Sequence, residues 1–148
     1  MFFHRLLLGL RRIATLFLLI LPAGLGYTQV NSESQLKAAF LVNFLKYVEW
    51  PASTATNVTI CLFGRDRLGA FLSNYEGRTI GGRELRVRRV NGPDHLDECQ
   101  VLFIPDTEEA RFGVVLRWVE NQPTLTVSDA EIFAQQGGAI ALVRSEGR

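Results

Sequence analysis

Cysteine and histidine supply most thiol, metal and proton-transfer chemistry, and the sequence holds two of each, Cys61, Cys99, His4 and His95, in 148 residues. Structural zinc takes about four ligands and catalytic zinc about three, so no metal site is expected. A serine triad would have to use His95, which stands in Asn91-Gly92-Pro93-Asp94-His95, turn chemistry that favours a solvated ring. There is no Gly-x-Ser-x-Gly elbow and no Gly-Lys-Ser/Thr phosphate loop. The glycine-rich run Gly77 to Gly82 leads from a helix into a strand, the reverse of a phosphate cradle, and reads as a hairpin-like turn. Asp106, after a predicted strand, resembles a phosphoacceptor. Receiver chemistry needs clustered acids after the first strand and a lysine after the last, whereas Gly64-Arg65-Asp66 offers one acid and Val143-Arg144 no lysine. No catalytic residue and no cofactor is therefore expected.

Met1 to Gly26 carries Arg5, Arg11 and Arg12, no acid, and the apolar run Ile13 to Leu21. A basic start, a short apolar core and the small-x-small site Gly24-x-Gly26 predict a secretory leader cleaved after Gly26. Arg11-Arg12 is not extended into a twin-arginine motif, so the general export route is expected. Without the leader, 13 basic residues face 15 acidic ones, formally −2 over 122 residues. A nucleic-acid binder carries a basic excess on its folded part, so nucleic acid is excluded as a partner.

Residues 27–31 read as a linker. Ser32-x-x-Gln35 reads as a capping box opening a helix to about Val48. Leu36, Phe40, Phe44 and Tyr47 recur at helical spacing and predict its packing face, widened by Ala39, Val42 and Leu45, until Trp50-Pro51 stops it. Val58 to Phe63 and Cys99 to Ile104 read as strands buried on both faces. Between them come a short helix, Leu68 to Tyr75, and a half-exposed strand, Glu84 to Val90. The arginines Arg83, Arg86, Arg88 and Arg89, with Glu84 interleaved, read as a solvated edge, with an anion or partner patch as the alternative. Asp106-x-x-Glu109 opens a helix packing through Phe112, Val115, Leu116, Trp118 and Val119. A short strand Thr124 to Val127, a brief helix from Ser128 to Ala134 and a strand Ala139 to Val143 follow Asn121 to Pro123. Strands alternating with helices predict an α/β domain over residues 32–148, a single-domain three-layer sandwich with a mainly parallel sheet flanked by helices. A flavodoxin-like order would set the first and third strands side by side at the centre.

Cys61 falls within the first strand and Cys99 at the head of the third. Adjacent strands lie about 4.8 Å apart, within reach of the 4.4–6.8 Å Cα separation of a disulfide. A bond, favoured in an oxidising compartment, and two buried thiols acting as small hydrophobes both remain open. A bond closing that loop would stabilise by about 3 to 4 kcal/mol in the chain-entropy model.

Several segments together resemble one family: Lys37-Ala38-Ala39-Phe40-Leu41-x-x-Phe44-x-Lys46-Tyr47-Val48-x-Trp50-Pro51, Ile60-Cys61-Leu62-Phe63-Gly64, Cys99-x-Val101-Leu102-Phe103-Ile104, Val127-Ser128-Asp129 and Phe133-x-x-x-Gly137-Gly138. The chain is similar over this whole span to the YfiR family of bacterial periplasmic proteins. The resemblance implies a non-enzymatic periplasmic α/β domain that binds the periplasmic region of a membrane diguanylate cyclase and represses it, lowering cyclic-di-GMP output and biofilm formation. It also implies sequestration by an outer-membrane lipoprotein, and it makes Cys61 and Cys99 a disulfide pair. A second cysteine pair, frequent in the family's C-terminal third, has no counterpart after Cys99. The resemblance further implies a strand and a C-terminal helix after the Gly137-Gly138 strand that this sequence does not contain, so lowered stability or a homodimer is expected. Lys46, Glu49 and Trp50 at the end of the first helix, and Arg65 and Asp66 at the C-terminal end of a strand, are the candidate partner or ligand surface; Trp50 has a competing use in covering the core. A periplasmic small-ligand sensor is the alternative reading.

Overall fold

The apolar run from Val58 forms the central strand β1 (Asn57–Phe63) of the computed structural model, which describes residues 25–53 and 55–144, with side chains from Ser32 onward. Two units divide the chain, Met1–Ser32 and Glu33–Arg148, and the described part of the first is helical. All but two residues of the expected leader lie outside the described residues. Among the described residues no helix is long and apolar enough to cross a membrane.

Helix α1 covers Leu25–Tyr47. Neither glycine nor proline interrupts the chain after Gly26, so Ser32 and residues 27–31 lie inside the helix, and the expected linker and Ser32 cap are not its boundary. After β1 come α2 (Leu68–Leu72), β2 (Thr79–Ile80), β3 (Arg83–Val90), a 3-10 turn (Leu96–Glu98) and β4 (Val101–Phe103). A 3-10 segment (Asp106–Arg111) then runs into α3 (Phe112–Val119), followed by β5 (Leu125–Ser128) and β6 (Ile140–Ala141). The brief helix expected from Ser128 is instead a series of turns, with the Ser128 hydroxyl accepting from Ala130 N in a local side-chain turn.

The strands form one sheet in the order β2-β3-β1-β4-β5-β6. Every neighbouring pair is parallel except β2 and β3. The expected mainly parallel sheet is therefore a mixed one: Gly81 and Gly82, both at positive φ, turn the chain back on itself between β2 and β3. The expected central pair, β1 beside β4, is present. The arginine-bearing β3, expected at an edge, is second from it: Thr79 and Ile80 pair with Glu84 and Arg83, and Leu85 exchanges backbone hydrogen bonds with Gly77 and Arg78.

Side-chain alternation along the central strands feeds two apolar clusters. Ile60, Leu62, Val101 and Phe103 join residues of α1 and α2, while Cys61, Phe63, Leu102 and Ile104 join Phe112, Val115 and Val119 of α3 together with Phe133. The α1 side of the first cluster is Ala38, Leu41, Val42 and Leu45, all buried. The expected packing face is thus borne out at Val42 and Leu45, its widened margin, and corrected along its stripe. Leu36 is 58% exposed, Phe40 43% and Tyr47 83%, and only Phe44 of that stripe reaches the core in part. The helix is apolar on two faces, and the one with smaller side chains, closed by the fully buried Ala38, is the one that meets the sheet.

Candidate functional site

Cys61 and Cys99 are joined by a disulfide with a Cα separation of 5.7 Å, both fully enclosed. The route to this bond is not a cross-strand pair. Ile60 is in register with Val101 and Cys61 with Leu102, so Cys99 extends the register to Val58, three residues from Cys61 and about 10 Å along a strand. The bond forms because the chain leaves the strand path just before Gln100: the 3-10 turn Leu96–Glu98 closes with Cys99 N donating to Leu96 O and swings Cys99 over the face of β1. His95, at φ 63°, starts that turn. Its Nδ1 lies 3.2 Å from Glu98 Oε1, and Glu98 is also held by Arg88 at 2.6 Å. Hydrogen bonding from Arg88 keeps the Glu98 carboxyl below its ordinary range. The ring is an exposed member of an ion cluster bracing the turn.

At the C-terminal end of the parallel strands, Lys37 of α1 donates to Asp129, just beyond β5, at 2.9 Å, and pairs with Glu33 at 2.7 Å. Arg144 pairs with Glu33 at 2.8 Å. The other oxygen of Asp129 accepts from Asp106 N at 2.9 Å. The cap expected from Asp106 itself is thus supplied from another element. Hydrogen bonding from Lys37 lowers the Glu33 carboxyl below its ordinary value. Burial pulls the Lys37 ammonium down, but the bonds to Glu33 and Asp129 outweigh it and leave it above the ordinary lysine value. A cleft of about 320 Å³ is lined by Glu33, Lys37, Asp106, Asp129, Leu142 and Arg144. Its cations are already matched by its carboxylates.

Asp66 of the expected surface is committed to local structure. One oxygen accepts from Leu68 N and Gly69 N, and the other pairs with Arg89 at 3.0 Å, with a side chain only 4% exposed. Arg65 beside it is exposed and has no charge partner among the described residues. Lys46 and Glu49 are exposed at the far end of the sheet, where α1 ends and the chain turns toward the start of β1. Trp50 covers the core there, its indole N–H donating to Leu45 O at 3.3 Å. The five residues therefore make two groups at opposite ends of the strands. Lys37 and Asp129 escaped sequence reasoning because charges 92 residues apart give no pairing signal in a single sequence. The exposed stripe of α1 escaped it because helical spacing marks an apolar face without saying whether anything covers it.

Among the described residues, no group of three or more His, Cys, Asp or Glu is placed to hold a metal ion. No curated protein matches the chain. A family profile described as YfiR/HmsC-like matches residues 34–148, taking in α1 from its third turn onward, the disulfide and every strand of the sheet. The chain belongs to the YfiR/HmsC-like family.

Proposed function

We propose that the protein is a non-enzymatic periplasmic regulator that binds the periplasmic region of an inner-membrane diguanylate cyclase and holds it inactive, lowering cyclic-di-GMP and biofilm formation. The observation that carries this reading is the family match over residues 34–148. An enclosed disulfide in a chain that opens with a basic, apolar segment supports export. In this reading residues 1–26 are a cleaved leader and residues 32–148 a three-layer α/β domain whose helices are the outer layers. An outer-membrane lipoprotein competing for the same domain would release the cyclase.

The test has two arms. Expression of the full chain beside a candidate cyclase lowers cellular cyclic-di-GMP, and the cyclase's periplasmic region co-purifies with the protein from the periplasmic fraction. A chain retained in the cytoplasm, or unchanged cyclic-di-GMP with no co-purification across the cyclases of the cell, defeats the proposal.

A further inference from the structure

The apolar stripe left open on α1 runs from Leu36 to Tyr47, three helical turns and about 16 Å. Phe40 and Phe44 stack at 6.4 Å between centroids, so the stripe has an ordered aromatic centre. One flank, stepping round the helix through Asn43 to Ala39 and Lys46, is the wall of a groove of about 310 Å³ whose far wall is Tyr75, Arg78, Thr79 and Ile80. The groove holds two cations, Lys46 and Arg78, and no carboxylate among its lining residues. Lys46 touches only the Asn43 side-chain oxygen at 3.4 Å, and Arg78 lies over the Tyr75 ring at 4.7 Å; neither has an acidic partner among the described residues. Every other cation that borders α1, Lys37 and Arg144, is paired.

We propose that this face, the stripe from Leu36 to Tyr47 with the groove of Lys46 and Arg78, is a docking surface for an amphipathic helix of a partner protein that carries carboxylates along one side of its apolar face. The length suits a helix of about three turns seating anchors at i, i+3 or i+4, and i+7. The unpaired cations select an acidic flank. A second copy of this chain fits worse. The carboxylate on the stripe's own line, Glu33, is already engaged by Lys37 and Arg144, and three turns of one helix fall short of the roughly 800 Å² per partner of a stable interface. A bilayer fits worse as well, since a flat surface cannot fill the groove beside Asn43. The assignment rests on the reading of the chain as a protein-binding regulator and names the surface such a regulator would use.

The test uses the full mature chain and four variants at exposed positions: Tyr47→Asp, Phe40→Ser, the pair Lys46→Glu with Arg78→Glu, and Arg117→Glu on α3, which packs in the other apolar cluster. Circular dichroism and thermal melts establish that each is folded. Two probes are titrated, the cyclase periplasmic region and a designed acidic amphipathic helical peptide with a basic twin. The expected result is a loss of affinity of about tenfold or more for the first three variants, with Arg117→Glu unchanged and the acidic peptide preferred over its twin. If the cyclase region binds all variants equally, the docking surface falls while the proposed function stands. If the cyclase region does not bind the wild type, the proposed function falls and the peptide decides: equal binding of the acidic and basic peptides overturns the surface. A dimer broken by Tyr47→Asp, or anionic vesicles bound in place of both probes, also overturns it.

Discussion

Replacing either half of the disulfide opens a loop of 38 residues' sequence separation that the unfolded wild type must keep closed. In the chain-entropy model that constraint contributes about 4 kcal/mol. Spread over the roughly 115 residues of the matched domain, at about 2.1 cal/mol/K of unfolding entropy per residue, it corresponds to a fall in Tm of about 15 °C. The distinctive expectation concerns additivity. Cys61→Ala removes the whole constraint, and Cys99→Ala removes the same constraint, so the double variant should melt within a few degrees of each single one, the remainder being the small cavity left by the second sulfur. Differential scanning calorimetry of the oxidised wild type, both single variants and the double variant measures this directly. Single variants that each lose less than about 5 °C, or losses that sum in the double variant, would refute the reasoning.

Three further outcomes follow from the charges and turns. Lys37→Met should destabilise by about 1 to 2 kcal/mol in chemical denaturation, because it leaves the partly buried Asp129 without its cation while Asp129 still faces Asp106 N. The lowered Glu33 carboxyl favours the folded state above the ordinary glutamate value of 4.5 and loses that contribution as pH falls through its lowered folded value. The Tm gap between wild type and Glu33→Gln should therefore be open at pH 6 and narrow as the pH falls below 4.5, and a gap that widens on acidification contradicts it. Lys37, raised in the folded state, stays charged across that window and adds no slope of its own. Gly64→Ala should cost about 1 to 2 kcal/mol by equilibrium unfolding, since Gly64 sits at φ 68° and a Cβ there would meet the Glu108 carboxylate.

The strands were legible because Val58 to Phe63, broken only by Thr59, and Val101 to Ile104 are short apolar runs bounded by turn residues, as strands covered on both faces are. The turn at Gly81-Gly82 was legible, but the short strand before it was not, since Thr79 and Ile80 alone give no pattern. The face of α1 was legible only at its margin, Val42 and Leu45, because Ala38, Leu41, Val42 and Leu45 satisfy helical spacing as well as Leu36, Phe40, Phe44 and Tyr47 do. For the cysteines, strand adjacency gave the correct pairing through an incorrect path, since the register alone would hold them apart. Of the expected surface, Trp50 was correctly given a covering use, while the commitment of Asp66 to the amides of Leu68 and Gly69 depends on a turn that spacing does not reveal.

Asp129 accepts from α1 through Lys37 and from the entry to α3 through Asp106 N, and these two helices belong to different apolar clusters. One carboxylate thus fastens both sides of the sheet to the end of β5. Local opening at this corner should be shared: in native-state hydrogen exchange, Asp129→Asn should raise the exchange rate of the Asp106 amide and of the amides around Lys37 together, turning two separately protected edges into a single unit that opens at lower free energy than either neighbouring strand.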